Sequence, residues 1–263
     1  KIEKAITKKT KAIIPVHLYG QSCDMNMIIK IAKKYNLKII EDCAQAQGAK
    51  YKNKYVGTIG DLGCFSFYPT KILGAYGDGG FITVKSKKIF EKMRRIRFYG
   101  IEGINKKNKF YGKYYSNEQG INSRIDELHL SILNIKLSRV KKFIKKRVQI
   151  ANYYKKSLKD TSLLLPNVRK DNKHVYHLFT VYHRKRQEII KKLKKLRINV
   201  GIYYPYPIHN MKGYKYLSNN KNKSLQNTEK LSQGIFSLPL YPEMTNKSLL
   251  KVTKALKSVL KSI

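Results

Sequence analysis

Two hydrophobic periods alternate along the first hundred residues. Residues 12–18 (AIIPVHL) form a short apolar run without helical spacing, which predicts a buried strand. Over 24–35, Met25, Ile28, Ile29, Ile31 and Ala32 recur at helical spacing behind Asp24, a residue suited to an N-cap. Residues 37–40 (LKII) read as a second strand, which ends at Glu41 and Asp42. A third strand, dense in aromatics, is expected over 62–68. A Gly-rich turn over 74–80 leads to a fourth over 81–84, and Ser86 then caps a helix from 87 to about 98. This strand–helix rhythm predicts an α/β architecture, a mostly parallel sheet with flanking helices.

The pattern changes in the middle of the chain. Residues 102–120 are polar and rich in Gly, Asn, Lys and Tyr, a long loop of the kind that is often functional or disordered. From 124 to about 158 the period is helical, with Ile125, Leu128, Ile132, Leu133 and Leu137 along one face. Such a helix is long for one globular domain, so it reads as a bridge, broken at most once, between a larger domain over 1–142 and a smaller α/β domain over 143–263. In the second, strands are expected at 176–182 and 198–204 and helices at 187–196, 225–233 and 246–260, with prolines punctuating the loops. The chain opens KIEKAITKK, without Met and without a helix cap, as if partway along an amphipathic helix, and further sequence is expected upstream.

Composition narrows the functional classes. Of 263 residues, 56 are Lys or Arg and 16 are Asp or Glu, a formal net charge of +40. Such a charge raises the question of nucleic acid. The lysines, however, run from Lys1 to Lys261 with no block, and Ile, Asn and Tyr, which share AT-rich codons with Lys, are abundant too. Coding bias accounts for that pattern without a basic binding surface, and no helix-turn-helix, RNP or zinc-finger signature is present. No apolar run reaches the ~18–20 residues of a membrane helix. Cys23, Cys43 and Cys64 form no CxxC pair, which fits a reducing cytoplasm and offers no metal framework.

Scarce acids make their positions informative. Asp42 falls at the end of a parallel strand, where open α/β sheets bind ligands. The following strand runs into CFSFYPTK, which places the Ser66 hydroxyl and the Lys71 amine close behind its end. An acid, a hydroxyl and an amine at adjoining strand ends suit pyridoxal phosphate chemistry: the amine forms a Schiff base, the acid keeps the pyridine nitrogen protonated, and the hydroxyl binds phosphate. Spacing alone also admits a bland account, in which Lys71 is a solvated surface residue and Asp42 a cap for the next segment.

Five stretches, KTKAIIPVHLYGQ, IIEDCAQAQGAKY, GDLGCFSFYPTKILGAYGDGGFI, GINSRIDELHLSIL and SLPLYPEMT, occur in order along the chain and resemble the DegT/DnrJ/StrS family of sugar aminotransferases. The resemblance implies a type I aminotransferase fold lacking the upstream part of its large domain, with pyridoxal 5′-phosphate as cofactor. It assigns Lys71 to the lysine that carries the cofactor and Asp42 to the acid at the pyridine nitrogen. Gln45 falls at the position lying against the ring, and Ser66 at a phosphate-binding serine. Asn122 matches an asparagine reaching the cofactor phosphate of a neighbouring subunit, which implies a homodimer with shared active sites. Gln45 and Ser66 could equally satisfy backbone groups, and Asn122 could be a turn residue. VYHLF and INVGIYYPYPIHNM resemble members that aminate C-3 of a dTDP-linked 3-keto-6-deoxyhexose, although such members often carry His where this chain has Tyr203. Tyr204 and His209 are the candidates for substrate contact, and a His in a Pro-rich loop is also commonly structural. L-Glutamate is the amino donor the resemblance implies, with surface-polysaccharide or deoxysugar biosynthesis as the setting. The family's dehydratase branch replaces the lysine with His, so Lys71 argues against it. Two other readings compete: an inactive truncated gene product, and a non-enzymatic basic nucleic-acid binder.

If coding bias sets the charge, duplex DNA binding will be weak and sequence-indifferent. A gel-shift titration against unrelated competitor duplex checks this, and a sequence preference would return nucleic acid to the centre of the account.

Overall fold

The computed structural model describes residues 1–101, 114–217 and 225–263. They fall into two compact units, 1–142 with 170–175, and 143–169 with 176–263.

In the first unit, helix α1 (Ile2–Ala5) precedes strand β1 (Ala12–Ile13), helix α2 (Met25–Lys34) and strand β2 (Lys38–Asp42). The Asp24 carboxylate accepts from the Met27 amide and caps α2, while Met25, Ile28 and Ala32 bury its inner face. A hairpin of β3 (Lys50–Tyr51) and β4 (Lys54–Tyr55) follows, then β5 (Leu62–Ser66), β6 (Gly80–Val84), α3 (Lys87–Ile96) and the first half of α4 (Glu127–Leu158), whose residues from Phe143 onward belong to the second unit. Ser86 caps α3 as expected, its Oγ accepting from the Ile89 amide. The main sheet has the order β1-β2-β5-β6. β1 and β5 flank β2 in parallel, but β6 is antiparallel to β5. Its reversal has a simple cause: the 67–79 connection turns back on itself without the helical crossover a parallel neighbour requires.

Several elements differ from their predicted bounds. The first strand pairs regularly only over Ala12–Ile13, because Pro15 lacks an N–H, and Val16 then meets β2 through a single bridge to Asp42. The β3–β4 hairpin went unpredicted, since its two-residue loop is Lys52-Asn53, both at positive φ (44° and 64°), and not the usual Asn-Gly signal. A late segment, β7 (Asn172–Lys173), adds antiparallel to β3. The long middle helix is one continuous element and starts at Glu127, and most of the polar 102–120 loop lies outside the described residues.

The end of β2 is held by a buried carboxylate. Glu41 is fully inaccessible. Its Oε1 accepts from the Ile59 and Gly60 amides at 2.8 and 2.6 Å, and its Oε2 accepts from the Gly57 amide at 2.8 Å and from His17 Nε2 at 2.9 Å. His17 Nδ1 in turn accepts from the Cys23 amide at 3.1 Å, so the imidazole carries its proton on Nε2. Gly57 sits at φ +85°, where a Cβ would also lie 2.4 Å from the Phe65 ring, so the turn that aims its N–H at Glu41 requires glycine. Burial raises the Glu41 pKa, but the His17 hydrogen bond and the three amides outweigh it and hold the carboxyl below its ordinary value of 4.5.

The second unit contains β8 (Phe179–Tyr182), α5 (Arg186–Lys195), α6 (Gln226–Gly234), β9 (Ile235–Leu238) and α7 (Asn246–Lys261). β8 and β9 form an antiparallel pair. The expected strand over 198–204 reduces to one bridge, Gly201 to Ser237. Tyr154 and Leu158 of α4, Phe179, Ile189, Leu193, Phe236 and Leu256 build the core. Tyr154 packs its ring 5.1 Å from Phe179 and donates its hydroxyl to the Pro239 carbonyl at 2.8 Å. Arg147 is buried too and donates through Nη1 to the carbonyls of Tyr176, His177 and Leu240, and burial lowers its pKa to about 10.

Tyr154→Phe keeps the ring but strands the Pro239 carbonyl, and should cost about 1 kcal/mol in urea unfolding. Glu41→Gln places an amide NH2 against backbone N–H donors and should cost about 2–5 kcal/mol at neutral pH. Because the folded pKa of Glu41 is depressed, its contribution is complete above about pH 4.5 and fades as the pH falls through the lower folded value. Unfolding midpoints of the two proteins should therefore converge as the solution is acidified through that window.

Candidate functional site

β2 and β5 run parallel with Asp42 opposite Cys64, so both strands release their chains at the same edge. Asp42, half-buried, is the last residue of β2. Its amide donates to the Pro15 carbonyl and its carbonyl accepts from the His17 amide, so the backbone is pinned on both sides. Oδ1 accepts from the Ala44 amide at 3.0 Å, while Oδ2 has no hydrogen-bond partner among the described residues. Burial, and secondly the Asp42 charge, push the neighbouring Cys64 thiol pKa upward.

Three residues on, buried Gln45 accepts through Oε1 from the Tyr19 amide at 2.8 Å. Tyr19 reaches it by adopting φ 57°, a left-handed conformation uncommon for tyrosine. Ser66 ends β5, and its Oγ accepts from the Tyr68 amide at 3.2 Å, which leaves its own proton to donate. Lys71 follows in the connection to β6, its amide on the Tyr68 carbonyl at 2.9 Å. The side chain is half-buried, and Nζ has neither a hydrogen bond nor an ion pair among the described residues. At Gly74 a Cβ would lie 2.5 Å from the Pro69 carbonyl oxygen, so this connection folds tightly upon itself. Lys136 of α4 donates Nζ to the Gly74 carbonyl from outside.

Asp42, Gln45, Ser66 and Lys71 thus lie on adjoining segments at one edge of one sheet. Asn122 is exposed, pairs with Phe98 in an isolated bridge, and accepts from Arg124 Nε at 3.0 Å, with no hydrogen bond to those four among the described residues. The other two candidates belong to the second unit. Tyr204 is exposed at φ 65°, and His209 Nε2 lies 3.0 Å from Glu229 Oε1. Sequence reasoning missed Gln47, whose buried amide bonds the Ser66 carbonyl and both backbone groups of Leu73. Its signal was the alternation of Gln45 and Gln47 in a motif already singled out.

The donor set fits a cofactor of the pyridoxal type. One carboxylate oxygen is fixed and the other open, and a hydroxyl proton and an unpaired amine stand at the next strand end. The trio His17, Glu41 and Cys43 also brings ligand-type atoms within 4.8 Å. It acts as a hydrogen-bond junction, because amides and the imidazole already occupy both Glu41 oxygens and an amide occupies His17 Nδ1.

No described helix is long and apolar enough to cross a membrane. The dTDP-3-amino-3,4,6-trideoxy-alpha-D-glucose transaminase of Micromonospora megalomicea subsp. nigra is 40% identical over 98% of this chain and 68% of its own length. The dTDP-3-amino-3,6-dideoxy-alpha-D-galactopyranose transaminase of Aneurinibacillus thermoaerophilus is 44% identical over 97% of this chain and 67% of its own. The chain therefore spans about two thirds of the length of these relatives. The crystal structure of S. venezuelae DesV in complex with a ketimine intermediate superposes with a TM-score of 0.90 at 33% identity, over 100% of this chain and 68% of that one. Residues 1–257 match a single family from end to end, and the chain belongs to the DegT/DnrJ/EryC1/StrS aminotransferase family.

Proposed function

We propose that this protein is a pyridoxal 5′-phosphate-dependent aminotransferase that moves an amino group from an amino acid, L-glutamate, to the keto group of a dTDP-type nucleotide-linked deoxysugar. The names of the two transaminase relatives support the substrate class. The observation that carries the reading is the pairing of an open Asp42 oxygen with an unpaired Lys71 amine at adjoining strand ends.

When bound, pyridoxal phosphate supplies an electron sink that stabilises negative charge at the carbon bearing the transferred nitrogen. Lys71 would hold it covalently, and its amine, once released, serves as general base and then acid for the proton that moves. Asp42 keeps the pyridine nitrogen protonated through Oδ2. The Ala44 amide on Oδ1 prevents the carboxylate from turning away. Gln45, its amide oriented by Tyr19, would pack against the ring of the bound cofactor. Ser66 donates its hydroxyl to the phosphate. Asn122 serves the phosphate of a neighbouring subunit, which makes the working unit a homodimer. The positive field of a +40 chain favours both the cofactor phosphate and a nucleotide diphosphate. The reaction belongs in the cytoplasm, in deoxysugar or surface-polysaccharide synthesis.

Incubated with pyridoxal phosphate, the protein should develop the visible absorption of covalently held cofactor, and Lys71→Ala should abolish it. Transamination in the variant should drop by at least about 10²–10⁴-fold, the range that positioned acid–base catalysis supplies. A wild-type chain that never develops the band, or a variant that keeps it, overturns the reading.

A further inference from the structure

Gln47 stands outside the set that the family resemblance assigns, yet it makes three hydrogen bonds to the segment that carries Lys71. The residue is 6% exposed. Its Nε2 donates to the Ser66 carbonyl at 2.7 Å and to the Leu73 carbonyl at 3.1 Å, and its Oε1 accepts from the Leu73 amide at 2.8 Å. Both amide protons are used, and the two anchor points lie on opposite sides of Lys71. Ser66 is the last residue of β5 and Leu73 lies beyond the turn, so one side chain closes the mouth of the 66–73 loop.

The other restraints on the loop are its own backbone bonds, the Lys136 contact at Gly74 and the burial of Ile72 and Ala75. Within it, the Lys71 amide bonds the Tyr68 carbonyl, and the Ala75 amide returns to the Phe67 carbonyl at 2.7 Å. Gln47 ties the loop to a different part of the sheet edge. It sits five residues after Asp42 and two after Gln45 in one tight turn, where the Ala46 amide bonds the Cys43 carbonyl and the Ala49 amide the Ala46 carbonyl. The turn that presents the carboxylate and the ring-facing amide is thereby bonded directly to the loop that presents the amine. Glutamine suits this task, because a neutral amide both donates to two carbonyls and accepts from an N–H, whereas a carboxylate could only accept.

We infer that Gln47 is the positioning residue of the site, fixing the Lys71 loop against the Asp42–Gln45 turn so that amine and carboxylate face one ligand at a set separation. This inference rests on Lys71 and Asp42 being the reacting pair. Misplacing a reacting group by even an ångström lowers rate far more than it lowers stability.

Two variants of the 263-residue chain test it. Gln47→Leu removes all three bonds at similar volume. Gln47→Glu keeps the acceptor for the Leu73 amide but sets oxygen against the two carbonyls. In cofactor-free protein, hydrogen–deuterium exchange of the 67–75 amides should accelerate about 10- to 10²-fold in Gln47→Leu and less in Gln47→Glu, with the α2 and α7 amides unchanged. Capture of pyridoxal phosphate by borohydride reduction, read at Lys71 by mass spectrometry, should slow at least about 10-fold in Gln47→Leu. Turnover should fall with little change in KM for the amino donor. Unchanged exchange over 67–75, or wild-type capture at Lys71 despite faster exchange, overturns the inference and leaves the aminotransferase reading intact. A wild type that captures no cofactor at Lys71 overturns that reading and this inference together. Faster exchange spread evenly over the whole chain also counts against it, since it marks Gln47 as a general stabiliser.

Discussion

A carboxylate removed from water needs its charge met in place, and Glu41 meets it with three backbone amides and an imidazole. That requirement organises the first unit. The amides come from the turn at 57–60 and the imidazole from the loop after β1, so two irregular segments converge on the end of β2. Asp42 is the next residue. Alternation along a strand points neighbours to opposite faces, so burying Glu41 on one side presents Asp42 on the other. Asp42 thus takes its place from its buried neighbour.

The site is built from loops, but few of its groups are left to move. Tyr19 orients Gln45, Ala44 holds one oxygen of Asp42, and Gln47 closes the Lys71 loop. Each bond satisfies a polar group that the fold would otherwise have to bury unpaired. Stability and placement therefore come from the same contacts. Atoms outside those contacts, Asp42 Oδ2 and Lys71 Nζ, are the ones with chemistry to offer.

How much was legible depended on whether a residue's neighbours were close in sequence. Helices α2 and α3 could be read, cap included, because Asp24 and Ser86 bond amides three residues away, and α7 could be read from its period, although its Thr245 cap was not. The strand ends bearing Asp42 and Ser66 were legible for the same local reason, and so was the loop bearing Lys71. The β3–β4 hairpin was not, because Lys52 and Asn53 adopt positive φ under tertiary constraint and without glycine. Nor was the reversal of β6, which depends on how a 13-residue connection folds and not on its hydrophobic period. Gln47 and Glu41 escaped because polar residues in a motif reveal burial only when their partners, 16 to 26 positions away, are known. For His209 the Pro-rich surroundings gave no hint of its hydrogen bond to Glu229, 20 residues on.

The short strand β7 has a bearing on the order in which the molecule can be assembled. Residues 170–175 complete the first unit: Lys173 pairs with Lys50, the Asn172 amide side chain reaches the Ser22 carbonyl, and the Val175 amide reaches the Gly20 carbonyl. These contacts span 123 to 155 residues of chain, including all of α4. During synthesis the β3–β4 hairpin must therefore wait, one edge unpaired, until the ribosome has passed residue 175. Contacts of such long range are slow to form, and an edge left open meanwhile can pair with another chain. Lys50 lies on that edge strand and Lys52 in the turn beside it, so the same abundance of lysine that looked like a clue to nucleic acid also acts as a guard on the nascent protein.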